Sequence, residues 1–517
     1  MFNSTLNRTD FLSLRYAAPP TGNLRFQAPA PPLNMSSQGI QLANTQPNQC
    51  FQSGNGASAS NPFRGNQTTN LSSPSSLTAK LTKRQSSQTE DCLFLNVFVS
   101  GEVNAQAKMP VVFWIHGGGY IAGGANGFPG GDLITEAGGG IVVVVIQYRL
   151  GVFGFLSGAE VKKNGALNAG LLDQQAALKW VQENIHLFGG DPEKVTIWGE
   201  SAGAGSVLQH MVAHGGNTQP PLFRNAITSS TFLPSQYNFD DAIPEQLYSE
   251  FVQGTGCTNA TNTFQCLVGV DVDALEKVND DINKSGFSGT FVTVPVIDGD
   301  LIIERPIETI IKGKLNAKQY LGMTNTFEGR DFINSGILSG MNITNYVTQL
   351  FPQFNDNQIQ DTVAQYTGAG LDTAFDQAVA IMGESIFICP TYALLSAYPG
   401  QAHKGLFAIQ PGNHANDISY YFPGTNGPPF KNAQFSASFD GGFLGLAKAD
   451  DPNTRVVDNI ITPNWVPFGG IGGDQGHTEM LFNKTEDSQP DIRSFTTDSS
   501  LLTRCEFWMS VAASLPQ

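Results

Sequence analysis

The chain has 517 residues, with 28 Lys+Arg against 44 Asp+Glu and a formal net charge of −16. Nucleic-acid binding rests on Lys and Arg neutralising phosphates, so this acidic balance excludes a phosphate-tracking partner. Only 14% of residues are charged, which leaves a surface rich in uncharged Ser, Thr, Asn and Gln, a texture common in secreted proteins.

The chain opens on polar FNSTLNRTD, without the apolar core of a signal peptide, so a removed precursor segment or a late start is expected. Asn-x-Ser/Thr acceptors stand at Asn3, Asn7, Asn34, Asn66, Asn70, Asn259, Asn283, Asn342 and Asn483. Together with an even number of cysteines they point to the secretory pathway. Cys50, Cys92, Cys257, Cys266, Cys389 and Cys505 allow fifteen disulfide pairings, and none belongs to a CxxC pair of the zinc-ribbon kind. Residues 51–91 are low in complexity and without periodicity, which predicts a long surface loop flanked by Cys50 and Cys92. Lys83-Arg84 within it is a dibasic pair that reads as solvated charge rather than a cleavage site.

Beyond the loop the texture changes. PVVFWI (110–115) and IVVVVI (141–146) are continuous apolar runs, the mark of strands buried on both faces of a parallel sheet. Each run is six residues, far short of the ~18 needed to span a membrane. LLDQQAALKWVQENIHLF (171–188) has helical spacing and should stop at Gly189-Gly190. KVTIWG (194–199), QYLGMT (319–324) and GLFAIQ (405–410) read as further strands, and SVLQHMVA (206–213) as helix. Strand alternating with helix predicts an α/β protein with a large, mostly parallel sheet flanked by helices, whose function sits in loops after the strand C-termini.

Those loops hold the informative residues. Gly199-Glu200-Ser201-Ala202-Gly203 stands between a strand and a helix, and a nucleophilic serine on such a turn needs glycine on either side. His116-Gly117-Gly118-Gly119-Tyr120 follows the strand VVFWI and, paired with GESAG, resembles the oxyanion loop of esterases and lipases. The expected donors are the N–H groups of Gly118, Gly119 and Ala202, aimed at a tetrahedral oxyanion. The orienting acid and the base should follow the nucleophile in that order. Glu328, after QYLGMT, is preferred to Asp298 in VIDGD and to Asp417, which is too near His414 in sequence to be an independent arm. Among seven histidines, His116 precedes the nucleophile, and His403 precedes a strand. His186, His210 and His214 stand in helical text; the last two have i,i+4 metal spacing without a third ligand and read as helix surface. His414, after a strand, is favoured over His477 in GGDQGHTEM.

TEDCLFLNVFV, WIHGGGY, LLDQQAALKWVQENIHLFGGDP, VTIWGESAGA, PVIDGD, TNTFEG and GNHANDISYYF together resemble the type-B carboxylesterase family. That family holds cholinesterases, fungal lipases and their inactive adhesion relatives. The resemblance runs from YAAPPTGNLRF (16–26) to CEFW (505–508). It implies one α/β-hydrolase domain over residues 1–517, a secreted fungal carboxylic-ester hydrolase, and a triad of Ser201, Glu328 and His414. It implies no metal or organic cofactor and a small-molecule ester as partner, and it leaves the oligomeric state open. The family's H-x-x-[DE]-I context, matched by His414 to Ile418, separates His414 from His477. The resemblance also implies the pairs Cys50–Cys92, Cys257–Cys266 and Cys389–Cys505, the last in the manner of cholinesterases.

The chain departs from the family in three places. The 51–91 loop, where fungal lipases carry a lid and cholinesterases a choline-binding Trp, has no Trp and few apolar residues. Interfacial lipase behaviour and choline selectivity are both disfavoured by that, with a lipase or sterol esterase as the alternative substrate class. Ser229-Ser230-Thr231 replaces the family's Gln-Ser-Gly, so Ser230 aligns with a serine that supports the triad, while Glu200 reads as a supporting carboxylate or a negative wall of the gorge. The N-terminus begins where the family has already completed its first small strands. A non-catalytic adhesion ectodomain would lack a triad member, and all three are present.

Overall fold

The structure is a computed structural model that describes residues 2–33, 37, 39–64, 88–469 and 476–514. Among these residues the strands are β1 (Phe2–Asn3), β2 (Arg8–Arg15), β3 (Phe94–Ser100), β4 (Met109–Ile115), β5 (Val142–Ile146), β6 (Gly190–Glu200), β7 (Asn225–Ser229), β8 (Gln319–Asn325), β9 (His403–Phe407), β10 (Thr478–Lys484) and β11 (Pro490–Thr496). They join in one sheet in the order β1-β2-β3-β5-β4-β6-β7-β8-β9-β10-β11. The stretch from β5 to β10 is parallel. Antiparallel pairing is confined to the β1–β2–β3–β5 side and to β10–β11.

The apolar text of β5 is explained by burial on both faces. Val142, Val144 and Ile146 pack with Phe113 and Leu178 on one side, and Val143 and Val145 pack with Trp114 and Trp198 on the other. Each such side chain stabilises the fold by about 1.5–3 kcal/mol relative to exposure. Strand β9 starts at His403 and ends at Phe407, two residues earlier than its text predicts at the start and three at the end. The helix Ala169–Asn184 tightens into a 3₁₀ turn at Ile185–Phe188 and stops at Gly189, whose φ of 84° takes the left-handed cap.

Two expectations are corrected. The His210/His214 pair does not lie on a helix surface, because the helix Ala202–Gly216 breaks at Ala213–Gly215. His210 is buried, with Nε2 3.0 Å from Gln174 Oε1, and burial lowers its pKa to about 3. Asn283 cannot be a glycan acceptor in this fold. It is fully buried, its Nδ2 donates to Asn279 O and its Oδ1 accepts from Thr293, so the nitrogen a glycan would need is inside the protein. Asn3, Asn7, Asn259 and Asn342 are exposed and Asn483 is half-buried. Asn34, Asn66, Asn70, Lys83 and Arg84 lie outside the described residues.

The bonded cysteines are Cys50–Cys92, Cys257–Cys266 and Cys389–Cys505. From Cys50 the segment 51–64 crosses the molecule as a strap. Gln52 exchanges hydrogen bonds with Gly123. At the far end Asn61 is held by Gln349, and Arg64 donates to Thr348 O. The helical stretch Ala374–Ser396 is long and apolar enough to cross a membrane by composition, yet 83% of its apolar window is buried inside the fold, where it forms a wall beside the site described next.

Candidate active site

Because β4, β6, β7, β8 and β9 run parallel, the loops after their C-termini meet along one edge of the sheet. The loop after β6 carries Ser201, with φ 56° and ψ −125°. A non-glycine residue held there stores about 1–3 kcal/mol of strain, and the turn is kept by close packing. A Cβ on Gly199 would lie 2.4 Å from the Gly203 carbonyl, and one on Gly203 would lie 2.0 Å from Ile115 O. Ser201 N donates to Ser229 O at 3.0 Å, and Ala202 opens the following helix.

The glycine loop after β4 lies against this turn. A Cβ on Gly117 would meet Glu200 O at 2.6 Å and Ser201 Cβ at 2.9 Å. Gly118 and Gly119 take φ of 100° and 63°, and the space beside Gly119 is filled by the ring of Phe291. His116 is buried and stacks on Tyr148 at 4.5 Å, while Tyr148 Oη donates to His116 O at 2.9 Å. Burial lowers the His116 pKa to about 4, so its ring is neutral and anchors the loop.

The loop after β8 presents Glu328, which is almost fully buried. Its Oε1 accepts from Ser230 Oγ at 2.8 Å and from Asn325 N at 2.6 Å, and its Oε2 lies 2.7 Å from His414 Nδ1. Asn325 Nδ2 in turn reaches Ser230 Oγ and Asp417 Oδ1. His414, after β9, is flanked by the rings of Phe387 at 4.4 Å and Phe332 at 5.2 Å. Its Nε2 lies 3.4 Å from Glu200 Oε1. Burial opposes the charged imidazole, but the carboxylates of Glu200, Glu328 and Asp417 outweigh it and push His414 up to about 9. Glu200 is itself raised to about 8, chiefly by burial. His414 thus meets Glu328 at Nδ1 and Glu200 at Nε2, Ser230 supports Glu328, and Ser201 is the residue that follows Glu200.

The rivals are elsewhere or otherwise engaged. Asp298 closes a turn through the N–H groups of Asp300 and Ile302 and accepts from Asn168. Asp417 is fully buried and accepts from Asn325 and Tyr421, and burial raises it to about 6. His477 precedes β10 and packs on Phe468, and His403 opens β9 beside Trp465. Asn325, Asp417 and the direct approach of Glu200 to His414 are not readable from sequence spacing.

An apolar cleft opens beside His414, lined by Phe232, Phe291, Phe332 and Phe387, with Asn61 and Phe63 of the strap also contributing. None of its lining side chains is charged. Among the described residues no group of three or more His, Cys, Asp and Glu side chains stands close enough together to hold a metal ion.

A family model described as the carboxylesterase family matches residues 2–508. "Lipase 4" of Diutina rugosa is 31% identical over 491 residues, which cover 87% of this chain and 85% of that protein. "Secreted triacylglycerol lipase LIP1" of Gibberella zeae is 32% identical over 410 residues, or 73% of this chain and 67% of that protein. Among solved structures, Aspergillus niger EstA superposes with a TM-score of 0.82 at 27% identity, covering 99% of this chain and 96% of EstA.

Proposed function

The chain belongs to the carboxylesterase family and is a carboxylic-ester hydrolase of the α/β-hydrolase fold, and we propose that it works through an acyl-enzyme made by Ser201, His414 and Glu328. Ser201 Oγ attacks the ester carbonyl as His414 Nε2 takes its proton, and Glu328 holds the imidazole at Nδ1 and stabilises its charged form. The N–H groups of Gly118, Gly119 and Ala202 stabilise the tetrahedral oxyanion, a role in which one lost donor typically costs ~10²–10³ in rate. His414 returns the proton to the leaving alkoxide and then activates the water that frees the acid. The observation that carries this reading is the 2.7 Å contact between Glu328 and His414, on a ring whose other nitrogen faces the residue next to Ser201.

The substrate is an uncharged ester whose apolar group enters the phenylalanine-lined cavity. A lipase reading is favoured by the names of the relatives. Against it stands the 51–91 segment, whose sequence has few apolar residues and whose Asn61 is tied down by amide hydrogen bonds to Gln349. Three disulfides, exposed glycan acceptors and a secreted relative support action outside the cell. The test is hydrolysis of p-nitrophenyl esters from acetyl to palmitoyl, with and without emulsion, by wild type and Ser201→Ala. Turnover is expected to vanish in the variant and to rise smoothly through the solubility limit in wild type. Unchanged turnover in Ser201→Ala overturns the mechanism, and a jump at the emulsion overturns the esterase assignment in favour of a lipase.

A further inference from the structure

The proposed mechanism leaves a run of buried hydrogen-bonding groups unused. At its centre is Tyr421, one helical turn after Asp417. Its Oη donates to Asp417 Oδ2 at 2.9 Å and lies 3.1 Å from Ser229 Oγ. Trp198 Nε1 reaches the same Ser229 Oγ at 3.4 Å. All four residues are buried. The ends of the run fix its direction, because an indole N–H only donates and a carboxylate only accepts. Trp198 therefore donates to Ser229, Ser229 to Tyr421 and Tyr421 to Asp417.

Both ends of the run meet the candidate active site. Ser229 closes β7, and its carbonyl accepts from Ser201 N at 3.0 Å. Asp417 Oδ1 accepts from Asn325 Nδ2, which also reaches Ser230 Oγ, and Ser230 Oγ donates to Glu328. Tyr421 thus joins the turn of Ser201 to the loops that carry Glu328 and His414. Its ring needs no hydroxyl to stay in place. The ring packs edge-on against Trp198 at 4.8 Å and Phe443 at 5.1 Å, and it stacks on Phe439 at 5.1 Å. Phenylalanine would fill that space equally well. The buried hydroxyl carries a desolvation cost that its partners have to offset, so its presence calls for a role.

We propose that Tyr421 is a positioning residue for ester hydrolysis: its hydroxyl fixes Ser229, and with it the turn of Ser201, against Asp417 on the loop that carries His414. This role rests on the proposed function. It acts through geometry and not through charge, because the hydroxyl is neutral. The ionisable groups facing His414 are Glu200, Glu328 and Asp417. Glu328 and His414 face Asp417, Lys404 of β9 faces Glu328, and Asp440 faces Tyr421 from the helix Ala433–Ala449. Removing the hydroxyl leaves every one of these charges in place, whereas removing the Asp417 carboxylate takes away an anion that supports the imidazolium.

The test is steady-state hydrolysis of p-nitrophenyl acetate across pH by wild type, Tyr421→Phe, Ser229→Ala, the double variant and Asp417→Asn, with Ser201→Ala alongside. Tyr421→Phe is expected to lower kcat about tenfold with KM nearly unchanged. Ser229→Ala breaks the same link from the other side, so it should lower kcat as well, and the double variant should lose no more than the worse single one. The acid limb of kcat/KM should stay in place in Tyr421→Phe and move to lower pH in Asp417→Asn. Wild-type kcat in Tyr421→Phe, a loss shared equally between kcat and KM, additive losses in the double variant, or a limb that moves in Tyr421→Phe each overturn the role. Should Tyr421→Phe fail to fold by thermal melting, Ser229→Ala carries the test, and wild-type kcat in it overturns the role. An inactive Ser201→Ala beside a fully active Tyr421→Phe sinks this inference and leaves the mechanism standing, whereas turnover by Ser201→Ala sinks the mechanism itself.

Discussion

Glu200 places a buried carboxylate oxygen 3.4 Å from Nε2 of His414, the ring nitrogen to which the proposed mechanism gives the proton of Ser201. The imidazole thus stands between two carboxylates, with Glu328 on Nδ1. Both favour its charged form, and together with Asp417 they hold it at about 9 against the cost of burial. A base has to be neutral to act, so activity rises with pH, and the acid limb of kcat/KM lies above the ordinary histidine value of ~6.5. Glu200→Gln removes one negative charge, lowers the His414 pKa and moves that limb to lower pH. A pH profile of each protein, scaled to its own plateau, checks the shift; a limb that stays in place or moves upward contradicts the pairing.

The second carboxylate makes a harder demand. Glu328→Gln leaves the geometry but removes the charge that stabilises the imidazolium, and a loss in kcat of about 10⁴ is expected. Ser230→Ala removes one of the two hydrogen bonds on Glu328 Oε1. A hydrogen bond to a charged group contributes about 1.5–3 kcal/mol, which sets the loss at roughly 10–100-fold in kcat, with KM nearly unchanged. Steady-state kinetics on a soluble p-nitrophenyl ester separates the two, and full activity in Ser230→Ala would show that Asn325 alone suffices.

Gly119→Ala tests the oxyanion loop. The new Cβ would lie 2.0 Å from Phe291 Cε1, at a φ of 63° that alanine rarely adopts. The loop has to shift, and a fall of about 10²–10³ in kcat is expected from one misplaced donor. Wild-type kcat in this variant would remove Gly119 from the oxyanion site.

A stability prediction concerns Asp440 in the helix Ala433–Ala449. It is fully buried and neither carboxylate oxygen has a hydrogen-bond partner among the described residues. Burial, with the charge of Glu136 adding to it, pushes its pKa well above the carboxylate range. The folded protein therefore keeps a proton that the unfolded chain has released. Stability from this group is complete below the unfolded pKa of ~3.9 and falls by about 1.4 kcal/mol per pH unit above it, until the folded group ionises. Asp440→Asn removes that slope, so the stability of the variant relative to wild type is expected to rise with pH. Urea midpoints across pH for the two proteins are the measurement, and equal slopes refute it.

What can be read from the sequence depends on how far apart the interacting residues are. The turn at Ser201 is legible because glycine is required at fixed spacing: a Cβ on Gly199 would meet Gly203, four residues on, and one on Gly203 would meet Ile115 O at the end of the neighbouring strand. Strand β5 is legible because both of its faces are buried, so every residue is apolar. Glu328 and His414 are legible as residues after strands, but their contact spans 86 positions and only the folded sheet makes it. The same holds for Asn325, which links Ser230 to Asp417, and for Asn283, whose acceptor motif is intact while its amide is locked inside by Asn279 and Thr293. The disulfide pairs follow from the family resemblance, since cysteine spacing alone leaves fifteen choices.

The bond Cys389–Cys505 spans 116 positions, and His414 lies between its ends while Ser201 and Glu328 precede both. During synthesis at ~5–20 residues per second, Cys505 emerges roughly 6–23 s after Cys389. For that interval the ribosome-bound chain carries Ser201 and Glu328 on strands already made, while the arm that holds His414 is not yet tied shut. Cys50–Cys92, 42 positions apart, can close long before, so the order in which these thiols are oxidised is also the order in which the parts of the hydrolase are secured.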